Sequence, residues 1–475
     1  MLATLAFAAV ACVGVARLAA PTRATAHPPA TAHTARAAAP DYVPGQVIVG
    51  YGPTPAAAQQ VAHAARTMGV RATAAQAGPG TTEQILHVSR GKSIWPVIAK
   101  LRRQPGVQYA VPDYIAHAAG WIPDDPGKTH HRQGWQQLQW NFLATSGIDA
   151  PDAWAHMFAV HRAGGKGVVI AVLDTGIAYR NWNQFRKSPD FTGTHFVDPY
   201  DFVAGNAYPL DREGHGTFVA GMIAEATNNG VGLTGLAYGA KIMPVRVLDA
   251  DGNGNSATIA RGIRYAVNHG AQVINLSLVF DNSVTAAQVP NIIGAVAFAR
   301  RHGVVVVAAA GNDSASHIDY PAAAPGVISV GATTSDRCLA GYSDIGEKLD
   351  LVAPGGGDDA ALPDDPNCHP LRNLPSVHQM TFTDLNSLQP GLNPTRFGFP
   401  GTYGTSMAAP AVSATAALVI ASGVIGRHPS PKAVLARLEQ TATPLGGSQP
   451  NPDYGYGLVN AGAATASLPI ATPAR

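Results

Sequence analysis

Three cysteines in 475 residues are too few for a disulfide framework to stand in for a hydrophobic core. Charge of one sign is equally scarce. Thirty-two Lys and Arg face thirty Asp and Glu, a formal net charge of +2, and no basic stripe gathers on any segment, so nucleic acid is not an expected partner. The N-terminal apolar run from Leu2 to Ala16 is shorter than the roughly 20 residues that cross a bilayer. The metal-binding helix signature HExxH is absent, and APGGGDD lacks the Lys-Ser/Thr that completes a phosphate loop. No repeat of solenoid length is present.

What the chain does have is a 46% hydrophobic content, enough for a folded core. Residues 1–26 read as a secretory signal and 27–40 as a low-complexity linker, although no Lys or Arg precedes the apolar run. Cys12 lies inside that run with apolar residues after it, which makes a lipid anchor a weak reading. Next comes the order strand, helix, strand, helix, strand: PGQVIVGY, TPAAAQQVAHAARTMG, TEQILHVS, SIWPVIAKLRRQPG and VQYAVPDYIAHA. That order predicts a small α+β domain over residues 41–118, with two helices on an antiparallel sheet.

A larger unit is expected over 119–468, with a tail at 469–475. Its runs GVVIAVLD, AKIMPVRVL, AQVINLSL, HGVVVVAAAG and GVISVGAT are continuously apolar, the pattern of strands buried on both faces of a parallel sheet. Helical segments separate or follow them: HGTFVAGMIAEA, NSATIARGIRYAVNHG, VTAAQVPNIIGAVAFARRHG and GTSMAAPAVSATAALVIASG. The fold class is therefore doubly wound α/β, in which ligands bind beyond the carboxyl ends of the strands.

Four polar residues sit where apolar runs stop or start. Asp174 ends VVIAVLD, His215 opens a helix between two glycines, Asn312 follows VVVVAAAG, and Ser406 follows a glycine turn. Singly, each has a plain reading as a cap, a turn residue or a packed ring. Together they meet the needs of acyl transfer. A serine hydroxyl requires a general base with a pKa near neutrality, which histidine supplies. The base requires a buried carboxylate to hold its tautomer, and the developing oxyanion requires fixed donors such as an Asn amide. The small residues after Ser406 let its helix pack deep and hold the hydroxyl rigid.

With DTG, HGTFVAG and GTSMAAP around Asp174, His215 and Ser406, in that order, and AAAGN around Asn312, the chain resembles the subtilisin-like serine proteases, thermitase-type members in particular. The resemblance covers about residues 118–465. It implies a mostly parallel subtilisin-like sheet preceded by a small α+β, ferredoxin-like propeptide domain. It also implies a secreted serine endopeptidase, monomeric and extracellular, that acts on proteins and peptides through the triad Asp174, His215 and Ser406 with Asn312 as oxyanion donor. The propeptide would be an intramolecular inhibitor and folding template, cut from the enzyme near residues 116–121. An esterase with the same triad is the rival enzyme class, but no GxSxG elbow surrounds Ser406; a non-catalytic binder is the rival outside enzymes.

By the same likeness, Gly252, Asn253 and Gly254 would pair with substrate backbone by strand addition, opposite Ser277 and Leu278. Val279 and Phe280 stand where the family commonly has glycines, so the cleft should be narrowed or reshaped. Asp313 and Asp319 fall near the first specificity pocket and would favour Lys or Arg before the cut. Calcium is the expected structural ion, held by Asn229, the carbonyls of Ala226, Val231 and Leu233, Asp125, and Asp190 as a third candidate; oxygen ligands suit such a hard cation. His130 and His131, in the linker, read as solvated. After removal of the leader, Cys338 and Cys368 remain, a pair that reads as a disulfide with two buried free thiols as the alternative. Residues 355–400 are longer and less regular than the family pattern. The chain closes soon after YGYGLVNAGAA without an anchor signature, so release as a free enzyme is expected.

Overall fold

Val47, Val49 and Tyr51 are buried at every second position of their strand, the period that puts one face of a sheet against helices. The structure, a computed structural model, describes residues 42–73, 76–78, 80–89, 92–114, 121–129, 132–383 and 395–467. The expected signal, linker, residues 116–120 of the maturation segment 116–121, His130, His131 and C-terminal tail lie outside these residues. The chain divides into two compact units, one ending at Ala116 and the other beginning at His117.

In the first unit, β1 (Tyr42–Tyr51), β2 (Arg71–Ala72), β3 (Gln76–Gly78), β4 (Thr81–His87) and β5 (Val107–Tyr114) form an antiparallel sheet in the order β2-β4-β1-β5, with β3 also on β4. Helices α1 (Pro55–Met68) and α2 (Trp95–Leu101) cover it. The start of α1 is set locally: Pro55 has no amide to waste in the first turn, and Thr54 Oγ1 accepts from the Ala57 amide at 3.2 Å. Gly69, left-handed at φ 67°, ends the helix.

The second unit is built on a parallel sheet. Its strands are β6 (Val169–Asp174), β7 (His195–Phe196), β8 (Tyr200–Asp201), β9 (Lys241–Arg246), β10 (Val273–Leu276), β11 (Val305–Ala309), β12 (Val327–Thr333) and β13 (Leu351–Pro354). They run in the order β13-β12-β11-β10-β6-β9-β7, with β8 also on β9 and every pairing parallel. Successive side chains enter opposite cores. Val305, Val307 and Ala309 pack with α3 (Ala150–Ala159), α4 (His215–Ala224) and α7 (Thr405–Ser422), whereas Val306 and Ala308 pack with α5 (Ser256–Asn268) and α6 (Pro290–Arg301). This two-sided burial is why the strands read as unbroken apolar runs. Helices α8 (Pro431–Thr441) and α9 (Ala461–Thr465) close the unit.

One expected helix is interrupted. The segment from Val284 holds only a short 3₁₀ turn, Ala286–Gln288, before α6 restarts at Pro290. Proline lacks the amide needed to continue a helix and pushes the residue before it out of the helical region; Val289 sits at φ −124° and ψ 45°.

The described parts of 355–400 carry two small antiparallel ladders. In one, β14 (Val377–His378) pairs with β17 (Gly401–Thr402); in the other, β15 (Thr381–Phe382) pairs with β16 (Phe397–Gly398). Cys338 and Cys368 are joined as a disulfide with Cα atoms 4.9 Å apart, which ties this insertion to the turn after β12. The bridge closes a loop of 30 residues, for which chain entropy allows a stabilisation of up to roughly 3.6 kcal/mol. Replacing both cysteines by serine should lower the denaturant-derived unfolding free energy by about 2 to 4 kcal/mol, and an unchanged midpoint and slope would show the bridge to be energetically idle.

Candidate active site

The sheet reverses its winding at β6, which has β10 on one side and β9 on the other, and the carboxyl ends of these strands open a crevice. Asp174 is the last residue of β6 and is fully buried. Its Oδ1 accepts from the Thr175 amide at 2.7 Å and meets His215 Nδ1 at 2.8 Å. His215 begins α4, held by a second carboxylate: Asp211 Oδ1 accepts from the Glu213 and Gly214 amides, and its Oδ2 from the Thr217 amide and hydroxyl. Asp211 thus satisfies amides at the start of α4 that have no partner within the helix. Gly216 is required by proximity, since a Cβ there would lie 2.1 Å from the Gly176 carbonyl and 3.1 Å from Asp174 Cβ. Without that glycine α4 could not bring the imidazole onto Asp174.

Two opposing influences act on His215. Burial by itself pushes its pKa down, while the charge and hydrogen bond of Asp174, then the charges of Glu213 and Asp211, outweigh burial and raise it to about 9. Glu213 Oε2 accepts from the His215 amide at 2.6 Å. Burial, followed by repulsion from Asp211, pushes that carboxyl up to about 7.

Ser406 lies in the first turn of α7, a helix buried from Met407 to Val419. Only small and apolar side chains allow such a helix to lie against the sheet. Pro410 inside α7 has no amide to offer the carbonyl four residues back, which is that of Ser406. Ser277 Oγ, just past β10, donates to that carbonyl at 2.8 Å, and Ser406 Oγ donates to the Ser277 carbonyl at 3.2 Å. Among the described residues no hydrogen bond joins Ser406 Oγ to His215. Both residues line one cleft of about 400 Å³ together with Gly252, Asn253, Gly254, Ser277, Leu278, Val279 and Phe280. Asn312 follows β11, where its Oδ1 accepts from the Thr405 amide at 2.8 Å and the Thr405 hydroxyl at 2.9 Å. With the oxygen so engaged, the Asn312 amide group has its Nδ2 hydrogens left to donate.

Thr175, Glu213, Leu248, Ile259 and Asp281 also line the cleft and were not singled out in the sequence. Asn312, Asp313 and Asp319 are not among its lining residues; Asp313 is exposed and Asp319 buried beside Asp344. The insertion reaches the site from behind, where Thr381 Oγ1 donates to the Gly214 carbonyl at 2.6 Å.

Away from the cleft, Asp125 and Asp190 are both fully buried. Asp125 accepts from the Asn228 and Asn229 amides at 2.8 and 3.0 Å. Asp190 accepts from Asn229 Nδ2 at 3.0 Å and the Leu233 amide at 2.7 Å, and its carbonyl accepts from the Ala226 amide. The Val231 amide donates to Asn229 Oδ1. Burial, only partly offset by these donors, raises Asp125 to about 6 and Asp190 to about 8. Glu225, also fully buried, has an unpartnered Oε1, and burial followed by the charge of Asp190 pushes its pKa well up. Three buried carboxylates in one place supply oxygens of the kind that suit a hard cation, although Asn229 turns its Nδ2 and not its oxygen toward Asp190.

Residues 165–457 match the subtilase family model, and residues 28–113 match the fervidolysin N-terminal prodomain. A thermophilic serine proteinase of Bacillus sp. (strain AK1) is 32% identical over 421 residues, covering 88% of this chain and 86% of that protein. Subtilisin BL of Lederbergia lenta is 39% identical over 312 residues, 65% of this chain and 94% of its own. Among solved structures, a protease from Pseudoalteromonas arctica PAMC 21717 aligns with a TM-score of 0.58 and 28% identity, covering 73% of this chain and 99% of that one. The chain belongs to the subtilase family and is a serine endopeptidase with an N-terminal prodomain.

Proposed function

We propose that Asp174, His215 and Ser406 carry the peptidase chemistry as a triad and that Asn312 stabilises the oxyanion. The observation that carries this reading is the 2.8 Å contact between Asp174 Oδ1 and His215 Nδ1, with the remaining face of the ring in the cleft that Ser406 lines. In the reaction Ser406 Oγ attacks the scissile carbonyl while His215 Nε2 takes its proton. The same nitrogen then protonates the departing amine as the acyl-enzyme forms, and water repeats the sequence to release the acid. Asp174 stays ionised and holds the proton on Nδ1. The bond from Ser406 Oγ to the Ser277 carbonyl would be exchanged for one to His215 when substrate enters, as catalytic hydrogen bonds tighten in the complex. Nδ2 of Asn312 and the Ser406 amide would receive the oxyanion.

Substrates are extended protein and peptide segments laid along Gly252–Gly254 on one side and Ser277–Leu278 on the other, with Val279 and Phe280 intruding where glycines would leave room. The prodomain acts as an intramolecular inhibitor removed by self-cleavage, and the enzyme works outside the cell as a monomer. A calcium ion held by Asp125, Asp190 and Asn229, with carbonyls from the 226–233 loop, would neutralise the buried carboxylates there and fix the loop.

Three outcomes follow from this assignment. Ser406→Ala should neither shorten in intact-mass analysis nor digest casein, whereas a mutant that matures and digests normally would reduce Ser406 to a helix cap. Asn312→Ala should lose about 10²- to 10³-fold in kcat, the scale found for the corresponding donor of subtilisin, with KM little changed; a loss confined to KM would contradict it. The base must be neutral to accept a proton, so kcat/KM should rise with pH along a limb centred above the ordinary histidine value of 6.5, toward about 9. Glu213→Gln removes a negative charge that favours imidazolium and should move that limb to lower pH by on the order of one unit. A limb that stays in place or moves the other way would refute this electrostatic account.

For the calcium loop, chelation should lower the melting temperature of the Ser406→Ala protein. An ion at 100 times its Kd contributes about 2.7 kcal/mol. Equal melting temperatures in calcium and in chelator would remove the ion from the account, as would an Asp125→Asn variant that keeps the full calcium response.

A further inference from the structure

Beneath the turn that carries Asn312, three carboxylates converge from separate parts of the chain. One oxygen each from Asp313, Asp319 and Asp344 lies within 4.8 Å of the others. Asp344 is fully buried and Asp319 is 3% exposed. Both oxygens of Asp319 and Oδ2 of Asp344 are buried without a hydrogen-bond partner, an arrangement that costs free energy in an ion-free protein. The nearest basic group is His317, whose Nε2 is 3.9 Å from Asp319 Oδ1 on a ring that is 56% exposed.

The backbone is shaped around this cluster. Asp344 Oδ1 accepts from the Asp313 and Ala315 amides at 3.0 and 2.7 Å, which leaves Oδ2 to face Asp319. The Asp344 amide donates to the Gly311 carbonyl and that of Asp319 to the Ala310 carbonyl. Gly311 adopts φ 128°, and a Cβ on it would lie 1.8 Å from Asp344 Oδ2 and 2.7 Å from Asp319 Oδ2. Only glycine leaves the space between the two carboxylates open. Burial, followed by the charges of Asp344 and Asp313, raises Asp319 to about 7.

We propose that Asp313, Asp319 and Asp344 bind a divalent cation of calcium's size, at a second metal site distinct from the Asp125, Asp190 and Asn229 loop. Oxygens within 4.8 Å of one another are close enough to share one ion, and calcium accepts carboxylate oxygens in flexible geometry where magnesium demands a near-ideal octahedron. A carboxylate pair buried to this degree, with three oxygens lacking any hydrogen-bond donor, suits a resident ion. The ion would brace the turn from Gly311 to Asp319 that begins at Asn312.

Equilibrium dialysis with calcium alone, on the full-length Ser406→Ala chain, tests the site by counting ions, whatever Asn312 does in catalysis. Asp319→Asn should bind one ion fewer per chain than its parent, while Asp125→Asn should keep this ion. The exposed Asp313→Asn, which leaves the buried pair in place, should bind it at least about tenfold more weakly. In chelator Asp319→Asn should melt above its parent, because a repelling charge is gone, and in calcium it should lose that lead. Unchanged ion number and affinity in Asp313→Asn, and in Asp319→Asn when that variant folds, would overturn the site. Loss of selectivity for Lys or Arg substrates without a change in ion count would overturn it too, and would make the cluster a specificity pocket.

Discussion

The first turn of α7 is held from two sides, and the site depends on that hold. Pro410 frees the carbonyl of Ser406, and the hydroxyl of Ser277 takes it; Asn312 takes the amide and hydroxyl of Thr405. Ser277 follows β10 and Asn312 follows β11, neighbours in register in the parallel sheet. Three separate segments are thereby fixed to one another within a few ångström of Ser406. A hydroxyl on an unbraced helix end would sample several rotamers. Here both its backbone and its side chain are committed to Ser277.

A second constraint is the density of negative charge. Asp174, Asp211 and Glu213 surround one imidazole, Asp125, Asp190 and Glu225 crowd one loop, and Asp313, Asp319 and Asp344 meet beside the turn that carries Asn312. At the imidazole the excess serves to stabilise the charged form against burial. Among the described residues, the other two clusters have only the exposed His317 beside Asp319 as a basic partner, which is why bound ions are proposed for both. Carboxylates are thus concentrated at three places, although the formal charge of the whole is only +2.

Much of this was legible in the sequence, for identifiable reasons. Strands buried on both faces advertise themselves as apolar runs, so β6, β10, β11 and β12 were placed with the residues that follow them. Asp174 and Asn312 could be picked out because each sits at such an end, and His215 and Ser406 because each opens an apolar helix, all within recognisable motifs. The break before α6 was missed, although Pro290 was its visible cause. Asp211, Glu213, Glu225 and Asp344 were not legible at all. Their significance comes from neighbours distant in the chain: Glu225 beside Gln379, Asp344 beside Asp319, and Asp211 folded back under α4. Nor could the partnership of Pro410 with Ser277 be read, since it joins a missing donor to a hydroxyl 129 positions before the carbonyl it leaves free.

The central claim is that His215, oriented by Asp174, makes Ser406 and no other serine nucleophilic. Labelling with phenylmethanesulfonyl fluoride, followed by peptide mapping by mass, tests it most directly. The account predicts one modified residue per chain, located at Ser406, in the active protein and almost none in His215→Ala. Label at another serine, or label at Ser406 that persists undiminished in His215→Ala, would contradict it.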